Sequence, residues 1–468
     1  MRFVTSLSIL AVAASLAAPH AEAQTAINLI ALQGLAPFST LGNSNAGKAA
    51  LAANLAVTGA IQTGTANQPG LQPLPAQQEQ ALRDAFITGR DAAELADGLG
   101  TKLGGIYQAE ARYSSADDGK TVQFTNVAPA VGNLILYTFT LTGADANAGK
   151  FFFANGTSKV GTNPAVPVSP AALAILTANG GTTDVFGKAY GKPAGSLGAD
   201  RFGDSRPFQT EPTLLKYDGT DYFGVASDNS AYLYGPPKGA TYYGQNLIGS
   251  PSFPSGHTTY AYTESTLLAI LVPERYLQMI TRGAEYGNSR IVVGAHYAMD
   301  VIAGRTLAYY DLSQLLADNP AYLNLKEGKA DPIANYATAV KAAHVALIKA
   351  LEAGAGEKIA AAAADDSSRF ANGAADEAFY ESTQTYRLPV VYPAEAGKVE
   401  DVSEIAPDAG YLLTAAFPYL SLAQADHILT MTEGPGGGFL DNGSPFGLYS
   451  RLDLYKAAAN AEELRPKS

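Results

Sequence analysis

Apolar and polar positions along the chain fall into distinct regimes. Over residues 6–18 the run SLSILAVAASLAA is almost uninterrupted, behind a positive start at Met1-Arg2 and ahead of Pro19 and the small-x-small triplet Ala21-Glu22-Ala23. That layout is a secretory signal peptide, with cleavage predicted after Ala23 and export to a periplasmic or extracellular space. A spanning helix would need about 20 apolar residues. The longest later apolar stretch, over 267–272, ends at Pro273-Glu274-Arg275, so the mature chain is expected to be soluble, with no integral membrane span.

Residues 24–75 are rich in Ala, Gly, Asn and Gln and predict short helices and loops. Pro75 opens a helix predicted over 76–99. Within 120–156, Tyr137, Phe139 and Leu141 alternate with Thr138 and Thr140, and Phe151 to Phe153 follow a Gly/Asp/Asn turn, which predicts a small β-hairpin or an irregular insert. The Gly- and Pro-rich stretch 156–254 predicts long loops with one short helix near Ala171. Helical periodicity dominates after Gly256, and Tyr336, Val340, Ala343, Leu347 and Leu351 mark one helical face. The expected fold class is mainly α, with long loops and a small β insert. Residues 24–160 make an N-terminal helical and irregular region, and 161–468 a helical domain with its motifs at 201–305, the two packed as one unit.

Composition narrows the chemistry. The 468-residue chain has no cysteine, which excludes disulfides, thiolate metal sites and cysteine nucleophiles. Its net charge of −12 argues against nucleic acid as a partner, because a phosphate-backbone binder needs a basic surface. An anionic substrate must therefore meet a local cluster of cations. Nothing in the sequence specifies an oligomeric state.

Three blocks supply such a cluster: Arg206-Pro207, then Pro254-Ser255-Gly256-His257, then Ser289-Arg290-x5-His296-x3-Asp300. His296 and Asp300 lie four apart in a segment with helical pattern (Ile291, Val292, Ala295, Met299, Ile302), which predicts one face, one turn apart. A carboxylate there can hold one imidazole nitrogen and leave the other aimed outward, as a nucleophile with its orienting group requires. The plainer alternative is a surface ion pair. Ser255 and Gly256 at a helix start leave backbone N–H groups free for an anion, and His257 in that first turn feels the positive end of the dipole. An ordinary N-cap with an incidental histidine is the alternative there. Arg206 and Arg290 offer forked guanidinium groups suited to phosphate oxygens, and Pro207 holds Arg206 extended. The pattern Ser-Arg-x5-His-x3-Asp arises by chance in well under ~1% of chains this long, and here it follows the other two blocks.

Together the blocks resemble the three-part signature of the PAP2 superfamily, which includes bacterial class A acid phosphatases, lipid phosphatases and vanadium haloperoxidases. The resemblance covers 201–305. The ending over 447–458, with Arg451-Leu452-Asp453-Leu454-Tyr455, is similar to the tail of soluble bacterial members. It implies a helical bundle with the site at its core and a metal-independent phosphatase acting on a small, soluble phosphate ester without a cofactor. By the same resemblance His296 would be the nucleophile, Asp300 would hold its ring and His257 would be general acid and base. Arg206, Arg290, Ser255 and Gly256 would bind the phosphoryl group. A haloperoxidase would use the same pocket for vanadate. One departure matters: the family pattern has a lysine seven residues before the Arg-Pro arginine, and Ala199 stands there. Arg201 is the expected substitute.

Other signals are set aside. The stretch Gly42 to Lys48 is P-loop-like, but Ala49 replaces the needed Ser or Thr, so it reads as a loop and helix start. His344 is expected to be a packed or surface residue.

Overall fold

The computed structural model describes residues 26–85, 92–115, 122–125, 127–155, 169–178, 184–211, 218–220, 226–228, 247–325 and 330–466. The predicted leader lies outside them. No helix among the described residues is long and apolar enough to cross a membrane.

The architecture is mainly α, as expected. The N-terminal helices are α1 (Ala26–Leu35), α2 (Asn45–Gln62), α3 (Leu74–Asp84), α4 (Thr101–Glu110) and the long α5 (Pro129–Asn155). Short helices α6 (Pro170–Ala178), α7 (Val185–Ala189) and α8 (Pro207–Thr210) lead to the central pieces α9 (Gly256–Leu271), α10 (Tyr276–Val292) and α11 (Ala298–Leu316). Beyond them stand α12 (Tyr336–Ala355), α13 (Gly373–Thr385), α14 (Leu422–Met431) and α15 (Leu454–Glu463). Two antiparallel hairpins complete the description. β1 (Arg112–Ser115) pairs with β2 (Val122–Thr125), Arg112 opposite Thr125, and β3 (Asp218–Thr220) pairs with β4 (Ala226–Asp228).

Helix α9 is the axis of the bundle. All of it except Tyr260 is buried, and it packs against α5, α10 and α11. A helix covered on every side must lie inside the core rather than on its surface. Close approach is possible because of Gly304 on α11: a Cβ there would stand 2.6 Å from the Ser255 carbonyl oxygen. The N-terminal region belongs to the same core, since α5 also packs on α11 and α12, while α2 packs on α10 and α11.

Several expectations hold. The α12 stripe Tyr336, Val340, Ala343, Leu347 and Leu351 is its buried face. The P-loop-like stretch is a turn and a helix start, with Ser44 capping α2 by accepting from Gly47 N–H at 2.9 Å. His344 Nδ1 lies 2.9 Å from the Leu271 carbonyl oxygen, a packed residue.

Others need correction. The Tyr137–Leu141 alternation is not a strand but part of α5, and Phe151 to Phe153 close the same helix. This helix is buried around most of its circumference, so its apolar residues fit a period of two as well as one of 3.6. The hydroxyls of Thr138 and Thr140 donate to the carbonyls of Leu134 (2.7 Å) and Leu136 (2.8 Å), which satisfies them within the helix. Of the two hairpins among the described residues, β1–β2 lies before α5 and β3–β4 after α8. The helix predicted over 76–99 ends early, at Asp84, and residues 92–94 and 96–99 are 3₁₀ turns.

Candidate active site

Helix α11 begins two residues too late to contain His296. Helix α10 stops at Val292, and Gly294 at φ +75° turns the chain, a conformation that costs glycine little. His296 then precedes Tyr297, the N-cap of α11. The expected placement of His296 and Asp300 on one helical face is therefore replaced by a helix-start arrangement. Asp300, in the first turn of α11, reaches back: its Oδ2 accepts from Tyr297 N–H at 2.9 Å and lies 3.1 Å from His296 Nδ1. The hydroxyl of Ser252 also donates to Oδ2. The next N–H groups of α11 are met by α2, Ala298 by Thr58 Oγ1 at 3.3 Å and Met299 by Asn54 Oδ1 at 2.9 Å.

The other side of the imidazole fixes its tautomer. Arg206 Nη1 lies 3.0 Å from His296 Nε2, and a guanidinium can only donate. Nε2 is therefore the acceptor with the lone pair, and Nδ1–H donates to Asp300. Arg206 is fully buried, and its fork is held by the carbonyls of Ser250 (2.6 Å), Ala295 (2.9 Å) and Pro251 (3.0 Å). Its backbone is extended, as a residue before proline should be.

The Pro254–His257 loop meets this pair from α9. Ser255 is the N-cap, its hydroxyl accepting from Thr258 N–H at 3.1 Å, and its own N–H donates to the Asp300 carbonyl at 3.1 Å. The N-cap alternative thus holds for Ser255. Beneath the loop, Phe253 stacks on Phe38 at 3.7 Å and meets Phe153 edge-on at 5.1 Å. Arg290, fully buried at the end of α10, donates to the Ala81 carbonyl at 3.1 Å and lies 4.6 Å over the Tyr286 ring.

Electrostatics tie these groups together. Burial pushes His257 and His296 well below the usual histidine range, and the same three cations add to the effect at each: Arg206, Arg290 and Lys150. Both rings are therefore neutral near pH 7 until negative charge enters among the cations. Burial raises the Asp300 carboxyl to about 7, and the bonds from Ser252 and Tyr297 and the charges of Arg206 and Lys150 oppose this.

Six of the anticipated residues, Arg206, Ser255, Gly256, His257, Arg290 and His296, are gathered around Asp300. Arg201 is not: it is exposed, with its guanidinium 5.5 Å from the Phe202 ring centre. Sequence reasoning missed Ser252 and Lys150. Lys150 left one signal, as the only lysine in the otherwise almost uncharged α5, directly ahead of three phenylalanines. Among the described residues, no group of three or more His, Cys, Asp or Glu is arranged to hold a metal ion.

A mainly helical bundle with two histidines and an aspartate among buried cations is the arrangement expected of the PAP2 superfamily, and residues 172–312 match that family's model. Within it, the likeness runs to bacterial phosphatases. An acid phosphatase of Zymomonas mobilis subsp. mobilis is 42% identical over 67 residues, 14% of this chain and 25% of that protein. A non-specific acid phosphatase of Providencia stuartii is 27% identical over 142 residues, 28% of this chain and 53% of that protein. A lipid A 1-phosphatase of Rhizobium etli is 43% identical over 53 residues, 11% of this chain and 23% of that protein. The chain thus matches between about a quarter and a half of the length of these relatives.

Proposed function

We propose that the chain is a metal-independent phosphatase that hydrolyses phosphate monoesters through a phosphohistidine. The observation that carries this reading is the fixed tautomer of His296: Nδ1–H donates to Asp300, and the Nε2 lone pair faces Arg206. A phosphoryl oxygen arriving at Arg206 takes over the guanidinium N–H and brings phosphorus to the freed lone pair. The Nε2–P bond forms as the bond from phosphorus to the leaving oxygen breaks, and His257 gives that oxygen its proton. Water then attacks phosphorus, His257 takes a proton back, and the Nε2–P bond breaks to release inorganic phosphate.

The electrostatics favour this division of labour. A neutral histidine is a poor acid but a good nucleophile. His296 is held neutral by burial and by three cations. His257 gains its proton when a dianionic substrate offsets the same cations, so acid and substrate arrive together. Phosphoryl transfer depends more on positioning and charge neutralisation than on further covalent chemistry, and a cation cluster supplies both. The leader-like first 23 residues support export, and the acid phosphatase relatives support a small phosphate ester as substrate.

The test is hydrolysis of a chromogenic aryl phosphate, with and without chelator and vanadate, beside His296→Ala. Activity that survives chelator, falls with vanadate and drops by about 10⁴-fold or more in the variant is expected. Full activity in His296→Ala defeats the mechanism, and loss of activity in chelator defeats metal independence. Halide oxidation by peroxide that needs vanadate, without hydrolysis, moves the protein to the haloperoxidases.

A further inference from the structure

We propose that Lys150, projecting from α5, is the third phosphoryl-binding cation of this site and replaces the lysine missing at Ala199. The inference deepens the phosphatase reading and rests on it. It starts from a close approach of two backbones. A Cβ on Gly149 would stand 3.1 Å from both Cδ and Cγ of Pro254, so α5 touches the start of the Pro254–His257 loop at that glycine. The next residue is Lys150, and its Cε lies 3.5 Å from where a Gly256 Cβ would be. The stem therefore runs along the first turn of α9, towards the histidines.

The ammonium has reason to bind an anion. Lys150 is only 7% exposed, and among the described residues no acceptor lies within hydrogen-bonding or ion-pair distance of it. Burial pushes its pKa well below the usual lysine range, and the Arg206 charge pushes it further, against the weaker pull of Asp300 and Asp200. A buried cation beside another cation is costly to the fold, and groups held this way concentrate where a ligand offsets the cost. His257 and His296 both feel it alongside Arg206 and Arg290, so the three cations surround one volume. The nearer cations in sequence are elsewhere: Arg201 is exposed over Phe202, and Lys192 Nζ, in an exposed contact, donates to the Leu197 carbonyl at 3.4 Å.

The experiment compares wild type, Lys150→Met, Lys150→Arg and Arg201→Met. Binding of orthophosphate and orthovanadate is measured by calorimetry and by the rise in melting temperature, and aryl phosphate hydrolysis is measured in parallel. Lys150→Met should weaken both anions by about 10–100-fold, the loss expected for one charge-assisted contact. It should also melt no lower than wild type without anion, because it removes a buried unpaired charge. Lys150→Arg should keep most of the affinity, and Arg201→Met should stay within about twofold of wild type. The proposal is overturned if Lys150→Met binds phosphate like wild type, if Arg201→Met shows the larger loss, or if Lys150→Met unfolds, which would mark a structural cation. Wild type that binds vanadate but hydrolyses nothing sinks the phosphatase reading alone and leaves the Lys150 comparison decisive. Wild type that binds neither anion sinks both.

Discussion

Asp300 carries its charge against its surroundings. Burial alone raises its carboxyl, and the bond from Ser252 is the first of the contacts that pull it back down towards ionisation. Removing that hydroxyl should leave the histidine contact in place but make the carboxylate harder to keep charged. For Ser252→Ala we expect kcat/KM to fall about tenfold, with the acid limb of its pH profile moved to higher pH, since ionised Asp300 is the working form. A loss without any shift of the profile would mean that Ser252 only holds the loop. Residues of this kind mark the border of what the sequence discloses. His257, Arg290, His296 and Asp300 stand at short fixed spacings in two blocks, so their chemistry can be read locally. Ser252 and Lys150 act across 48 and 150 residues of chain respectively, from Ser252 to Asp300 and from Lys150 to Asp300, and no local spacing records such a meeting.

Among elements, the contact between α9 and α11 sets the site's dimensions. Gly304 lets α11 lie directly on the Ser255 carbonyl, and a Cβ would also come within 3.0 Å of Thr258 Cβ. Backbone cannot yield as a flexible side chain can, so Gly304→Ala should push the two helix starts apart. We expect it to lower the melting temperature and to reduce kcat by at least about tenfold, because displacements near 1 Å at such a site are expensive. Unchanged activity and stability would show that the interface yields without cost. The element scale is also where the sequence misled. The α5 stretch reads as alternating because all of it is apolar enough to be buried, and only its packing against α1, α9, α11 and α12 decides for a helix. In α12, one face remains in water, so the same kind of reading succeeds.

At the scale of the whole molecule, the buried carboxyls set the response to pH. Burial raises Asp200, Asp300, Asp376 and Glu433 to about 7 and Asp426 to about 6. Each stays protonated in the fold over a range where the unfolded chain has already ionised, so each costs stability as pH climbs from about 4 to about 7. The two site histidines work the other way, but only below about 6.5, where the unfolded chain takes up protons that the fold refuses. Above that point Lys150, which burial pushes well below the usual lysine range, still opposes the carboxyls, but it is one group against several. The melting temperature should therefore fall between pH 6 and pH 8, which a thermal scan in non-phosphate buffers will measure; a rise over that range contradicts the account.

The mooring of α11 has a bearing on timing. Arg305, one turn past Asp300, is held by the carbonyls of Thr383 (3.2 Å), Gln384 (3.0 Å) and Ser450 (2.9 Å). A growing chain possesses every reacting group once residue 300 has been added, yet the last of the contacts that moor Arg305 waits until residue 450 has followed. Under the proposed function, full activity should thus come late in biosynthesis, and a cell would be spared a half-built phosphatase at large among its own phosphate esters.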